Sequence, residues 1–311
     1  MRARSRGWLA ILLAAVVLWG GGCGGGQPEK QLQSSPPVTD DRGRTVELQE
    51  EPRRLVSLSP AQTEILFALG LGDRVVGVTD YCDWPEEARR KPKIGGFSSP
   101  NLEKVVAARP DLVVGNSMHL EAADQLEKLG IAVIILDPHS VEGTLDSIEK
   151  LGRVTGRSEE AAQLRAAIQA DLDAVRQTLA KAGKSERPRV YYEVWYGPLM
   201  TAGPNTVIDD VIRLAGGVNV AADAQVEYPE YSEEVLLAKN PQVMIQGSAH
   251  GSNLASPLAQ VRARPGWADL DCVKNGRVYA LDANLASRPG PRVGQAVLAF
   301  ARCIHPELFP E

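Results

Sequence analysis

Asn101-Leu102-Glu103 opens an apolar helical run that stops at Arg109-Pro110-Asp111, and Leu112-Val113-Val114-Gly115 follows. The phrase returns in the second half. Ser232-Glu233-Glu234 opens a run that stops at Asn240-Pro241-Gln242, followed by Val243-Met244-Ile245. In each copy a residue suited to capping stands two before a glutamate. A proline, which lacks the N–H a helix needs, ends the run. The short continuous apolar stretch after it reads as a strand buried on both faces. Helix, proline, strand, twice in the same order, predicts two similarly built α/β lobes, each with an acidic residue at the start of a surface helix. Two such lobes leave a cleft between them.

Working outward from the first copy, Val38 to Val46 reads as a hairpin turning at Asp41 to Gly43. Arg54 to Leu58 is a buried strand, and Pro60 suits the first turn of a helix to Leu69. Val75 to Val78 is the next strand, and Ile94 to Phe97 a short strand and loop. Ala122 to Leu129 is a helix, Ile131 to Leu136 a strand and Val141 to Leu151 a helix. Glu159 to Ala182 has neither Gly nor Pro and spaces Leu164, Ile168, Leu172, Val175 and Leu179 at helical intervals. It predicts one long rigid helix bridging the halves. The pattern restarts after Pro188: strand from Val190, helix from Asn205, the second phrase, a helix over Leu258 to Arg262, a strand over Arg277 to Leu281 and a closing helix over Gly294 to Cys303. Alternating strands and helices call for parallel sheets covered by helices. The expected division is a signal over 1–22, tether and start of hairpin over 23–52, an N-terminal lobe over 53–152, the bridging helix over 153–186 and a C-terminal lobe over 187–311.

The net charge of −5 on 311 residues carries no basic footprint for nucleic acid. Arg2, Arg4 and Arg6 precede an apolar run from Leu9 to Trp19, the pattern of an export signal. Cys23 follows Gly20-Gly21-Gly22 and is the candidate lipidation site, although a lipoprotein signal usually has Leu where Gly20 stands. That places the protein outside the cytoplasmic membrane, periplasmic or on its outer face, held by a lipid anchor. Cys82, Cys272 and Cys303 remain; Cys272 and Cys303 have the option of pairing within one lobe or staying as free thiols.

No nucleophile elbow, metalloprotease helix or phosphate-cradling glycine loop is present, so a binding protein is expected rather than an enzyme. Ligands of open α/β sheets gather beyond the carboxyl ends of strands. There the sequence places Ser59, Pro60, Tyr81, Trp84, Phe97, Asn116, Trp195 and Arg288, largely flat aromatic and small polar groups that suit a rigid corrinoid or metal chelate. His119, His139 and His250 also lie in loops after strands, the candidates for a metal ion or an axial ligand. Glu103 and Glu234 each sit favourably in a first helical turn, worth about 0.3–1 kcal/mol, but their matched offset calls for a further reason.

Taken together, these segments resemble the substrate-binding proteins of ABC importers that carry cobalamin and ferric siderophores. The resemblance spans roughly residues 53 to 311. It rests on Arg54 to Gly70, on the two repeated phrases, and on Pro265-Gly266-Trp267 with Val273 to Tyr279. It implies a class III periplasmic-binding-protein fold: two Rossmann-like lobes joined by one rigid helix. It also implies a monomer without a cofactor, whose Glu103 and Glu234 dock onto arginines of the permease, itself driven by a cytoplasmic ATPase. Asp80 to Pro85 resembles the cobalamin-binding branch, in which the position of Tyr81 faces the corrin; Phe97 and Tyr228-Pro229 also match its aromatic positions, and Asn116 departs where that branch can place Trp. Cobalamin or a related corrinoid is the expected ligand. A ferric siderophore or haem is the alternative, and a free zinc or manganese ion held by His119, His139 and His250 the second.

Overall fold

In the computed structural model, which describes residues 36–183, 186–248 and 256–310, a small antiparallel hairpin comes first, β1 (Val38–Thr39) with β2 (Thr45–Val46). The expected export signal, Cys23 and His250 lie outside the described residues. The hairpin turn is welded to the lobe behind it: Asp40 is buried, pairs with Arg42 at 2.8 Å and accepts the Ile135 amide, while Arg42 reaches Glu127 at 2.8 Å.

The N-terminal lobe runs β3 (Leu55–Ser57), α1 (Pro60–Ala68), β4 (Val75–Val78), α2 (Glu86–Arg89), α3 (Leu102–Ala107), β5 (Leu112–Gly115), α4 (Leu120–Lys128), β6 (Ala132–Ile135) and α5 (Val141–Val154). Its four strands are parallel, in the order β4-β3-β5-β6. β3 and β5 are buried at every residue, which is why they read as unbroken apolar runs. The expected strand at Ile94 to Phe97 does not form; only isolated bridges occur at Lys93 and Gly95. Gly95 takes a positive φ of 107°, and a Cβ there would lie 2.9 Å from the Asn101 amide nitrogen, so the chain bends away from the sheet to start α3.

α6 (Ser158–Ala182) carries the chain to the second lobe. Ala161, Ile168 and Val175 are its fully buried positions, with Leu164, Leu172 and Leu179 partly buried between them. This seam packs on α5 of the first lobe and on α12 (Val293–Ile304) of the second, so one helix is bonded to both halves along its length. The second lobe runs β7 (Arg189–Trp195), β8 (Met200–Thr201), α7 (Val207–Leu214), β9 (Val218–Asn219), α8 (Glu233–Lys239), β10 (Val243–Ser248), α9 (Pro257–Arg262), α10 (Asp271–Lys274), β11 (Val278–Asp282), α11 (Ala283–Ser287) and then α12. Its parallel strands lie in the order β9-β7-β10-β11, with β8 added antiparallel to the far end of β7. Taken by order of appearance, both lobes place the second strand beside the first and the third and fourth on its other side. One continuous core spans the two lobes, from Leu55 and Val114 to Val190, Ile212 and Phe300. No helix among the described residues is long and apolar enough to cross a membrane. Cys82, Cys272 and Cys303 are buried free thiols; burial pushes Cys272 up to about 11 and Cys303 up to about 12.

Candidate ligand cleft

A cavity of about 520 Å³ opens between the lobes at the carboxyl ends of the strands. The structure brings five of the expected residues to it: Ser59, Phe97 and Asn116 from the first lobe with His139, and Tyr228 from the second. Apolar surface comes from Met118, Leu136, Val194 and Ile208. Polar lining residues that escaped the sequence include Gln62, Asp137, Asn205 and Glu227. Gln62 is buried, its amide nitrogen donates to the Leu136 carbonyl at 2.8 Å, and its amide oxygen has no partner. Tyr192, nearly fully buried, is part of the wall. Gly247 lets its hydroxyl approach, since a Cβ there would sit 2.5 Å from that oxygen. Tyr228 keeps 47% of its surface open. Its phenol is held above the ordinary range by burial first, then by the charges of Glu227 and Asp137.

Pro60, Tyr81, Trp84, Trp195 and Arg288 do not line this cavity. Tyr81 and Trp195 are 63% and 62% exposed, and Trp195 donates to the Gly197 carbonyl. Trp84 lies under the Arg292 guanidinium, 4.8 Å from its ring centre. Arg288 is committed elsewhere. It reaches across the lobes to Glu64 at 3.0 Å and Asp83 at 2.6 Å, and donates to the Tyr81 carbonyl. Arg292 meets the same Glu64 through two bonds of 2.8 Å. Glu64 itself is only 1% exposed on its side chain. One buried carboxylate thus holds two arginines of the opposite lobe, a charge-assisted clasp.

Of the three candidate histidines, His119 and His139 lie among the described residues and have different surroundings. His119 is buried beside Phe97, its Nδ1 accepting the Asn116 amide and its Nε2 meeting the Phe97 carbonyl at 2.8 Å. An accepting Nδ1 puts the proton on Nε2, so both nitrogens are occupied by backbone, and burial lowers the ring's affinity for a second proton. A ring so placed has no nitrogen left for a metal. His139 stays at the cleft mouth. Its Nδ1 lies 3.1 Å from both the Asn205 carbonyl and Glu227 of the second lobe, and its Nε2 lies 3.6 Å from Asp137. Among the described residues no group of three His, Cys, Asp or Glu is arranged to hold a metal ion.

On the outer surface the two repeated phrases are built alike. Glu103 in the first turn of α3 and Glu234 in the first turn of α8 are both exposed. Asn101 caps its helix by accepting the Lys104 amide; Ser232 holds the equivalent position but makes no side-chain cap bond. Each helix then leaves through a residue of positive φ immediately before the proline, Arg109 at 45° and Asn240 at 43°. An arginine from the start of each lobe's first strand clasps that exit. Arg54 donates to the carbonyls of Ala108 and Arg109, and Arg189 to those of Lys239 and Asn240. The residue after each proline completes the match: Asp111 accepts the Arg54 amide and Gln242 accepts the Arg189 amide.

Two α/β lobes of equal strand order, tied by one packed helix and enclosing a cleft at their strand ends, define a two-lobed binding protein with a rigid hinge. The chain belongs to the periplasmic binding protein family, whose model matches residues 55–285. It is 34% identical to the uncharacterized ABC transporter substrate-binding lipoprotein YvrC of Bacillus subtilis, over all of both chains. It is 33% identical to the cobalamin-binding protein of Halobacterium salinarum, over 86% of this chain and 74% of that one. Among solved structures it resembles the periplasmic heme-binding protein RhuT of Roseiflexus, with 30% identity and a TM-score of 0.71 over 81% of this chain and 99% of that one.

Proposed function

We propose that the protein is the extracytoplasmic substrate-binding component of an ABC importer and that its ligand is a corrinoid, cobalamin or a near relative. The observation that carries this reading is the interlobe cavity. It has an aromatic and aliphatic lining, with Phe97 and Tyr228 on opposite lobes and polar groups around them. A broad, rigid, weakly charged ring system suits such walls. Likeness to the Halobacterium cobalamin-binding protein supports the same ligand. Haem is the second reading, favoured by the likeness to the Roseiflexus protein.

The matched helices α3 and α8 are the docking surface in this reading. Two nearly identical patches, each with one exposed glutamate, fit a partner that presents the same basic site twice, as a permease dimer with twofold symmetry would. Cys23 is the lipidation site that would keep the carrier at the membrane. Equilibrium dialysis against cyanocobalamin and, separately, hemin tests the ligand. Saturable binding of one cyanocobalamin per chain is the expected result. Binding of hemin without cyanocobalamin would replace the corrinoid by haem and leave the importer reading intact.

A further inference from the structure

We infer that the cleft selects among tetrapyrrole-like ligands by charge, with Asp137, Glu227 and Gln62 rejecting carboxylate-bearing rings and admitting rings whose periphery is amide. This rests on the corrinoid reading above and sharpens it to a class of corrinoid. Among the described residues lining the cavity there is no lysine or arginine, whereas Asp137 and Glu227 both belong to it. Their side chains are 26% and 45% exposed, so neither charge is buried away from an incoming ligand. They come from opposite lobes and flank His139, at 3.6 Å and 3.1 Å from its two ring nitrogens. Two carboxylates outweigh one imidazole in either of its protonation states, so these described residues leave the mouth net negative.

The basic groups around the cleft are already paired. Arg42 and Arg44, which share a neighbouring pocket with Asp137 and His139, are bound to Asp40, Asp124 and Glu127. Arg288 and Arg292 are bound to Glu64, and Arg288 also to Asp83. Deeper in the cavity the unpartnered oxygen of Gln62 calls for a hydrogen-bond donor. A peripheral amide supplies an N–H and carries no charge. A peripheral carboxylate supplies neither, and it meets two like charges in a partly enclosed space where Coulomb repulsion is stronger than in water.

The decisive comparison is between two corrinoids that share a ring and differ in their peripheral groups. The purified protein is dialysed at low salt against dicyanocobinamide, whose side chains are amides, and against cobyrinic acid, whose side chains are carboxylic acids, with hemin as a third ligand. The amide corrinoid is expected to bind roughly tenfold or more tighter than the acid. The ratio should shrink in the double variant Asp137→Asn, Glu227→Gln, and in 0.5 M salt. If that variant does not fold, Asp137→Asn alone is read in the same way. Equal affinity for the two corrinoids, or a ratio that neither variant changes, overturns charge selection while leaving the corrinoid carrier standing. Binding of hemin with no binding of either corrinoid overturns both.

Discussion

The outer faces of the two lobes match where their inner faces do not. Outside, Arg54 clasps the exit of α3 as Arg189 clasps the exit of α8, and Glu103 and Glu234 stand at the same place on their helices. Inside, the first lobe offers Gln62, Phe97, Asp137 and His139, and the second Glu227 and Tyr228, with no pairwise likeness. The lobes are lashed together there by Glu64 of one and two arginines of the other, an arrangement with no mirror image. A surface that meets a symmetric partner keeps its two copies alike. A cleft that holds one asymmetric ligand is free to diverge. The contrast also separates carboxylates by burial: Glu64 is enclosed and acts on the fold, whereas Glu103 and Glu234 lie in water, where the proposed docking would use them.

Breaking the asymmetric clasp should have the largest effect. Glu64→Gln leaves Arg292, 15% exposed, without its counter-charge and Arg288, 13% exposed, with Asp83 alone. A loss of about 3 kcal/mol is expected, because Arg292 is left nearly buried and uncompensated. Denaturant unfolding measures it, and a change below about 1 kcal/mol would show that the clasp is ornamental.

The hairpin, present on the first lobe alone among the described residues, comes next. Burial would raise the Asp40 carboxyl, but its bonds to Arg42 and to the Arg44 and Ile135 amides prevail and hold it below the usual carboxylate range. A folded pKa below the unfolded one contributes stability above the unfolded value of about 4, and this is lost as pH falls through the folded value. Asp40→Asn should cost about 1–3 kcal/mol at pH 7. The difference from the parent should narrow as the pH is taken below about 4. A difference that stays constant between pH 7 and pH 3 would contradict the assignment.

The symmetric clasps are expected to be weaker and equal. Arg54→Ala and Arg189→Ala should each lose about 1 kcal/mol, since the bonds are charge-assisted but exposed. Their effects should add, because they lie in separate lobes. Markedly unequal losses would break the claim that the docking helices are held alike. The smallest effect on stability, below about 0.5 kcal/mol, belongs to Glu103→Lys and Glu234→Lys. Each should nonetheless weaken ligand delivery to the cognate importer in membrane vesicles, with similar force, and the pair should abolish it. Unimpaired delivery by the double variant would remove the docking role.

What the sequence made legible is local. The repeated helix, proline and strand, the heptad-like seam of α6 and the apolar runs of β3 and β5 are each written within one short segment, because propensity and periodicity act over a few residues. The matched arginines stand before Leu55 and Val190 at the head of each half, but only the fold shows that both clasp a helix exit. The cleft was not. Arg288 reads as a free cation in a loop until Glu64, far off in sequence, is brought to 3.0 Å. His119 reads as an exposed loop histidine until the bend around Gly95 carries the Phe97 carbonyl to it. Gln62 is an unremarked residue of a helix whose importance comes only from the oxygen that folding leaves unpaired. Asp137 and Glu227 acquire a shared role only when the two lobes face each other.

The structure of the protein with cyanocobalamin bound tests the central claim most directly. One corrin is predicted between the lobes, in contact with Phe97 and Tyr228, with amide groups directed to Gln62, Asp137 and Glu227. A corrin seated outside this cleft, or no bound corrin at saturating concentration, would contradict the account.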